Sequence, residues 1–195
     1  MSLDEALFQA INGVAGRSET VDWLMVQLAR PRNLYYPGGL AAAYWLWRNW
    51  RECLIGSAAL AGVIGMADGI GTFCKDLVQR PRPCLTLQNV HALLGCGKAF
   101  SFPSNHAVNT AAAAAFFQVL YPRSGWISWP LVAAIGFSRV YIGAHYLSDV
   151  MGGWVIGGAI GAGVAYFLSR RVWFRPATVG QAALPPSAPS PDAAS

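Results

Sequence analysis

CLIGSAALAGVIGMADGIGTFC, residues 53 to 74, carries one charge, Asp68, in a run otherwise made of apolar and small residues. A helix needs about 20 apolar residues to cross the hydrocarbon core of a bilayer, and this run is long enough. VMGGWVIGGAIGAGVAYFL, residues 150 to 168, passes the same test with no charge at all. Working outward from these two, Leu34 to Trp47, His106 to Tyr121 and Trp126 to about Tyr141 qualify once their ends are allowed to be wet. Residues 3 to 29 alternate apolar clusters with Asp4, Glu5, Arg17, Glu19 and Asp22, a pattern that suits helices lying at the interface better than a further crossing. The predicted fold class is an all-α integral membrane bundle of five to six spans with N-terminal interfacial helices.

Composition agrees: 54% of residues are hydrophobic and 12% charged, against about 25% charged in a soluble domain. The net charge of +5 is spread through the chain without basic tracts, which argues against nucleic acid as a partner. The opening MSLDEALFQAINGVAG lacks the basic start of a cleaved signal. Three regions are expected: an N-terminal interfacial segment at 1–33, the membrane bundle at 34–175, and a disordered tail at 176–195, where Pro, Ala and Ser replace aliphatic bulk. Small residues recur every fourth position at Ser57, Ala61, Gly65 and Gly69 and again at Gly153, Gly157 and Gly161. Such stripes let helix backbones approach closely in lipid and are expected to be packing surfaces.

Counting five crossings places the polar residues. Lys75 follows the second span, Arg82 lies in the loop after it, His106 opens the third, Arg139 ends the fourth, and His145 and Asp149 lead into the fifth. All fall on one membrane face. Fixed cations at an interface suit a multiply charged anion, and guanidinium groups match phosphate oxygens in pairs. Two histidines beside a phosphate can divide the chemistry, one attacking as neutral imidazole and one protonating the leaving oxygen. Asp149, four residues after His145, shares its face on a helix, so its carboxylate is placed to accept the Nδ1 proton and leave Nε2 to attack.

These residues resemble the signature of the type-2 phosphatidic acid phosphatase superfamily. Its three parts correspond to Lys75 through Arg82-Pro83 in KDLVQRPRP, to Pro103-Ser104-Asn105-His106, with Asn105 where Gly is commonest, and to Ser138-Arg139 with His145 and Asp149. The resemblance covers about residues 66 to 160. It implies a lipid phosphate phosphatase, most closely of the undecaprenyl-diphosphatase kind, in which His145 is the nucleophile, Asp149 orients it, and His106 is the general acid. Lys75, Arg82, Ser104, Asn105 and Arg139 would bind the phosphoryl group, helped by backbone N–H groups at the helix start. No metal or other cofactor is implied, and the partners are a phosphorylated membrane lipid and the bilayer itself. Lipid A 1-phosphate, phosphatidylglycerol phosphate and phosphatidic acid are alternative substrates. Vanadate-dependent haloperoxidases share the signature but are soluble, against this composition; a membrane protein without enzymatic activity is the other alternative.

Orientation follows from the resemblance too. Six arginines, Arg48, Arg51, Arg123, Arg170, Arg171 and Arg175, lie opposite the active face, which holds the other eight basic residues, so charge bias alone does not orient the chain. Family members of this kind sit in the bacterial plasma membrane with the site facing the periplasm or exterior. There the loop cysteines Cys84 and Cys96 would tend to oxidise, and a disulfide between them is expected to tie the Arg82 segment to the one leading into His106. Asp68, seven residues before Lys75, shares its helix face and lies about 10 Å deeper. A carboxylate at that depth is a functional candidate, expected to face the bundle interior and support the cationic site.

Overall fold

A computed structural model of the protein describes residues 1–97 and 100–170, the side chain of Leu34 excepted. The tail expected at 176–195 lies outside the described residues. The regular elements are α1 (Leu3–Asn12), α2 (Glu19–Ala29), α3 (Tyr35–Arg48), α4 (Trp50–Val78), the single turn α5 (Pro83–Thr86), α6 (Asn105–Leu120), α7 (Gly125–Tyr141) and α8 (Leu147–Ser169). No strand occurs among the described residues. Each segment read as a span coincides with one long helix, and Trp50–Thr86 and Leu147–Ser169 are long and apolar enough on their own to cross a membrane.

The bundle is organised around α6 and α8, which make the most extensive contact of any helix pair. They run parallel and in register: a β-carbon on Gly153 would lie 2.9 Å from the Ser104 carbonyl oxygen, one on Gly157 2.0 Å from that of Val108, and one on Gly161 2.0 Å from that of Ala112. Three contacts at four-residue spacing thus bring backbone against backbone, the close approach that small residues permit in lipid. Val63 and Ala67 of α4 close this core against Val108, Ala112 and Phe116.

The stripe read on α4 is a correction. Nothing lies within 4 Å of where a β-carbon on Gly65 or Gly69 would stand, and Ser57, Ala61, Gly65 and Gly69 are all exposed. The face that packs carries Val63, Ala67, Gly71 and Lys75. Both faces of α4 repeat small residues at four-residue spacing, so periodicity could not tell which one meets a partner. The contrast makes a prediction. Gly157→Ala forces a side chain into the α6 backbone and is expected to cost about 3 kcal/mol or more, whereas Gly65→Ala is neutral or slightly stabilising through helix propensity. Thermal unfolding in detergent measures both, and equal midpoints would contradict this packing.

At about 1.5 Å per residue, α1 and α2 are each roughly half the hydrocarbon thickness in length. α1 begins with a capping box in which Ser2 Oγ accepts from Glu5 N and Glu5 accepts from Ser2 N. Its inner face carries Phe8, fully buried against Ala107, Val140, Tyr146 and Val150, a burial that contributes about 2–3 kcal/mol. Asn12, also buried, donates to the carbonyls of Tyr141 at 2.7 Å and His91 at 3.0 Å. Residues 1–33 therefore share a core with the active end of the bundle.

Candidate active site

Lys75 stands in the last turn of α4, buried, and its ammonium donates to the carbonyls of Phe100 at 3.1 Å and Pro103. Gln79 ends α4 in the left-handed conformation, with φ of 51°. The chain then enters Arg80-Pro81-Arg82-Pro83, where Pro81 keeps α4 from continuing and Pro83 opens the single turn α5. Arg82 Nη1 donates to the Ala144 carbonyl at 3.0 Å. Cys84 and Cys96 are joined by a disulfide with Cα atoms 5.9 Å apart, and the loop it closes brings Gly97 so near that a β-carbon there would lie 3.2 Å from Arg82 Cζ. The guanidinium is thus walled in by the loop that carries it.

Arg139, buried near the end of α7, donates from Nη1 to the Ala29 carbonyl at 3.1 Å, while its Nε has no hydrogen-bond partner. Gly143, at φ of 80°, turns the chain between α7 and α8. A β-carbon there would meet the His91 carbonyl at 2.8 Å, so both conformation and space demand glycine. This turn delivers His145 above Arg139, whose carbonyl accepts from the N–H groups of Ala144 and His145. Across the site, Ser104 N donates to the Asp149 carbonyl at 3.1 Å and ties the starts of α6 and α8 together. The Ser104 hydroxyl and His106 Nε2 are buried with no hydrogen-bond partner. Buried polar groups are ordinarily satisfied, and unpaired atoms on Ser104, His106 and Arg139 are what a site built around a phosphoryl group contains.

His145 is 2% exposed. The expectation that Asp149 takes its Nδ1 proton needs correcting. Nδ1 lies 2.8 Å from the Ser101 carbonyl oxygen but 3.8 Å from Asp149 Oδ2, too long for a hydrogen bond. A carbonyl accepts and never donates, so Nδ1 must carry the proton and Nε2 is the basic nitrogen. The tautomer expected is retained, with a different acceptor. Burial holds the imidazole down at about 4 against an ordinary 6.5, with the Asp149 carboxylate pulling upward and Arg139 and Arg82 pushing down. The ring is neutral at pH 7, the form that can attack.

Asp149 is fully buried and acts one step removed. Its Oδ2 accepts from the Ser101 hydroxyl and from Tyr146 N at 2.8 Å, and its Oδ1 accepts from Arg80 Nη1 at 2.7 Å. It positions Ser101, whose carbonyl in turn positions His145. Arg80 also pairs with Asp4 at 2.6 Å and lies over the Tyr146 ring, 4.0 Å from its centroid. Ser101, Arg80 and Asp4 escaped the sequence reading. Arg80 stands two residues from the signature Arg82, and nothing local marks the other two.

Asp68 is exposed and forms one wall of a lateral cleft of about 200 Å³ that includes His106, Leu28 and Ile135. It was expected to face the bundle interior; it faces this opening instead, because α6 offers it donors there. Asp68 Oδ1 accepts from Asn105 Nδ2 at 2.9 Å and Asn109 Nδ2 at 3.2 Å. The Asn105 side chain is thereby turned toward α4, which leaves its backbone N–H at the start of α6 as the group available to an anion.

A family profile described as PAP2 superfamily matches residues 53–173. Undecaprenyl-diphosphatase BcrC of Bacillus subtilis (strain 168) is 33% identical over 159 residues, 80% of this chain and 79% of that protein. A lipid A 4'-phosphatase of Bacteroides thetaiotaomicron is 29% identical over 184 residues, 89% of this chain and 80% of its own length. Among solved structures, a transmembrane PAP2-type phosphatidylglycerolphosphate phosphatase from Bacillus subtilis shares the fold, with a TM-score of 0.66 at 24% identity over 88% of this chain and 87% of that one.

Proposed function

This chain belongs to the PAP2 superfamily of membrane lipid phosphatases, and from that premise we propose that it hydrolyses undecaprenyl diphosphate to the monophosphate through a phosphohistidine on His145. The observation that carries the mechanism is a neutral imidazole whose Nδ1 is held by the Ser101 carbonyl, beside Lys75 and Arg139, whose hydrogen bonds end on backbone carbonyls. Among the described residues neither cation is in ion-pair contact with a carboxylate.

His145 Nε2 attacks the terminal phosphorus, and the bond to the bridging oxygen breaks as His106 gives that oxygen a proton. Water then adds to the phosphohistidine with His106 as base, the P–N bond breaks, and inorganic phosphate leaves. Lys75, Arg82, Arg139, Ser104 and the Asn105 N–H bind the phosphoryl oxygens throughout, where charge grows in the transition state. The substrate assignment draws support from the 33% identical undecaprenyl-diphosphatase. The carboxylate of Asp68 in the cleft beside His106 favours a second reading, a monoester whose leaving group carries hydroxyl donors, as in glycerol- or sugar-headed lipids.

The protein is placed in a bacterial plasma membrane, crossing with α3, α4, α6, α7 and α8. The active face is placed outside, an orientation supported by the disulfide in its loop, since such bonds persist in oxidising compartments. Phosphate release by purified protein from micelles of undecaprenyl diphosphate, phosphatidylglycerol phosphate, phosphatidic acid and lipid A tests the substrate. The highest kcat/KM is expected for undecaprenyl diphosphate, and a preference for any of the others would replace it. Bromide oxidation in the presence of vanadate is expected to be absent, with vanadate acting only as an inhibitor.

Asp68 supports the start of α6 through Asn105. Asp68→Asn exchanges charge-assisted hydrogen bonds for neutral ones, a loss of about 1 kcal/mol, and is expected to lower kcat/KM about fivefold with the fold intact. Wild-type kinetics in that variant would remove Asp68 from the site.

A further inference from the structure

We propose that Asp4, on the first helix and 145 residues from Asp149 in sequence, is a positioning residue of this phosphatase, setting the place of Asp149 through Arg80 and thereby the orientation of His145. The proposal rests on the reading of His145 as nucleophile.

Asp149 is a fully buried carboxylate, and a buried charge is tolerable only when paired and hydrogen-bonded. Its charged partner is Arg80, at 2.7 Å. An arginine side chain has many rotamers and an affinity for phosphate, so Arg80 must itself be restrained if it is to serve Asp149 rather than the substrate. Asp4 supplies the restraint. Its Oδ2 accepts from Arg80 Nη2 at 2.6 Å, on the far side of the guanidinium from Nη1, which goes to Asp149 and, at 2.7 Å, to the Ser148 hydroxyl. The Tyr146 ring beneath fixes the guanidinium plane.

Asp4 also grips the turn that bears Asp149. Its Oδ1 accepts from Ser148 N at 3.1 Å and its Oδ2 from Ser148 Oγ at 2.5 Å. Partial burial pushes its carboxyl upward, but the bonds from Ser148 and Arg80 outweigh this and hold it below its ordinary value, so it is ionised at neutral pH. α1 itself is seated by buried Phe8 and Asn12. The chain of contacts therefore runs from α1 through Asp4, Arg80, Asp149 and Ser101 to His145 Nδ1, each residue joined to the next by a hydrogen bond.

The test uses the purified full-length protein with the best lipid substrate of the wild type. Asp4→Asn keeps the shape and removes the charge. It is expected to lower kcat 10- to 100-fold with KM within about twofold, because substrate contacts remain while the nucleophile is misplaced. Asp4→Glu, which keeps the charge, is expected to recover part of that loss. Combined with Arg80→Lys, Asp4→Asn is expected to add little, since both break one chain of contacts. A wild-type kcat, a raised KM with kcat kept, or full additivity of the two substitutions would each overturn the proposal. If Asp4→Asn does not fold, Ser148→Ala, which removes the hydroxyl bond to Asp4 and leaves the backbone one, must lower kcat with KM kept, and a wild-type value there overturns it equally. His145→Ala serves as control: activity in that variant would defeat the nucleophile assignment itself, a failure distinct from that of Asp4.

Discussion

Replacing His145 with alanine is expected to abolish turnover and phosphoenzyme together, a loss on the order of 10⁴-fold or more, as when the attacking residue of a covalent mechanism is removed. The fold should survive, since the His145 side chain makes one hydrogen bond, to the Ser101 carbonyl. Quenching in alkaline detergent of protein mixed with labelled substrate would show an acid-labile phosphohistidine in the wild type and none in the variant. The pH dependence carries the same signature. The free imidazole is held at about 4 rather than 6.5, so it is neutral above that value and becomes cationic below it. With a depressed value on a group that must be neutral to attack, kcat/KM should be flat on this account through pH 6.5 and fall only as pH drops toward 4. A limb centred near 6.5 that persists in His106→Ala would mean that the His145 ring is solvated.

His106→Ala is expected to slow phosphoenzyme formation by about 10²- to 10⁴-fold on lipid phosphate monoesters, the range typical of a lost general acid. The size should depend on what leaves. The alkoxide that leaves from a lipid monoester such as phosphatidic acid is poor and needs its proton; the polyprenyl monophosphate that leaves from undecaprenyl diphosphate needs it less, and a phenolate from an aryl phosphate with an acidic phenol does not. The aryl ester should therefore recover most of the loss in His106→Ala and almost none in His145→Ala. The structure sharpens this contrast, because His106 borders the lateral cleft, where a departing group has space, whereas His145 is 2% exposed. Equal recovery in the two variants would exchange or dissolve the roles.

The six residues assigned to the proposed reaction, Lys75, Arg82, His106, Arg139, His145 and Asp149, were legible because they stand at or between the ends of apolar runs, and alternating crossings put those ends on one side. What escaped was pairing over distance. Asp4 in the first turn of α1 reads locally as an acid that favours a helix start, and its role depends on a partner 76 residues away. Ser101 contributes a backbone carbonyl to His145, a group every residue possesses, so no side-chain pattern announces it. The Asp149 geometry failed for a related reason: four-residue spacing implies a shared face only if both residues are helical, and α8 begins at Leu147, after His145. On α4 the two faces are nearly equivalent in small residues, and only the position of α6 decides between them.

The backbone contact between α6 and α8 also bears on how such an enzyme acquires new substrates. His106 and Asp149 stand in the first turns of two rods meshed at Gly153, Gly157 and Gly161, so sliding one past the other would take a jump of a whole four-residue step, about 6 Å. The cleft beside His106 is bounded on its other sides by Leu28 of α2, Asp68 of α4 and Ile135 of α7, where no glycine seam fixes the register. Variation on those helices can reshape the lipid's berth while His106 and the Asp149 that positions His145 stay in place. A mutant library confined to the residues of α2, α4 and α7 that line this cleft should yield folded phosphatases with altered lipid preference. A library of the same size along the α6–α8 seam should yield chiefly chains that do not fold.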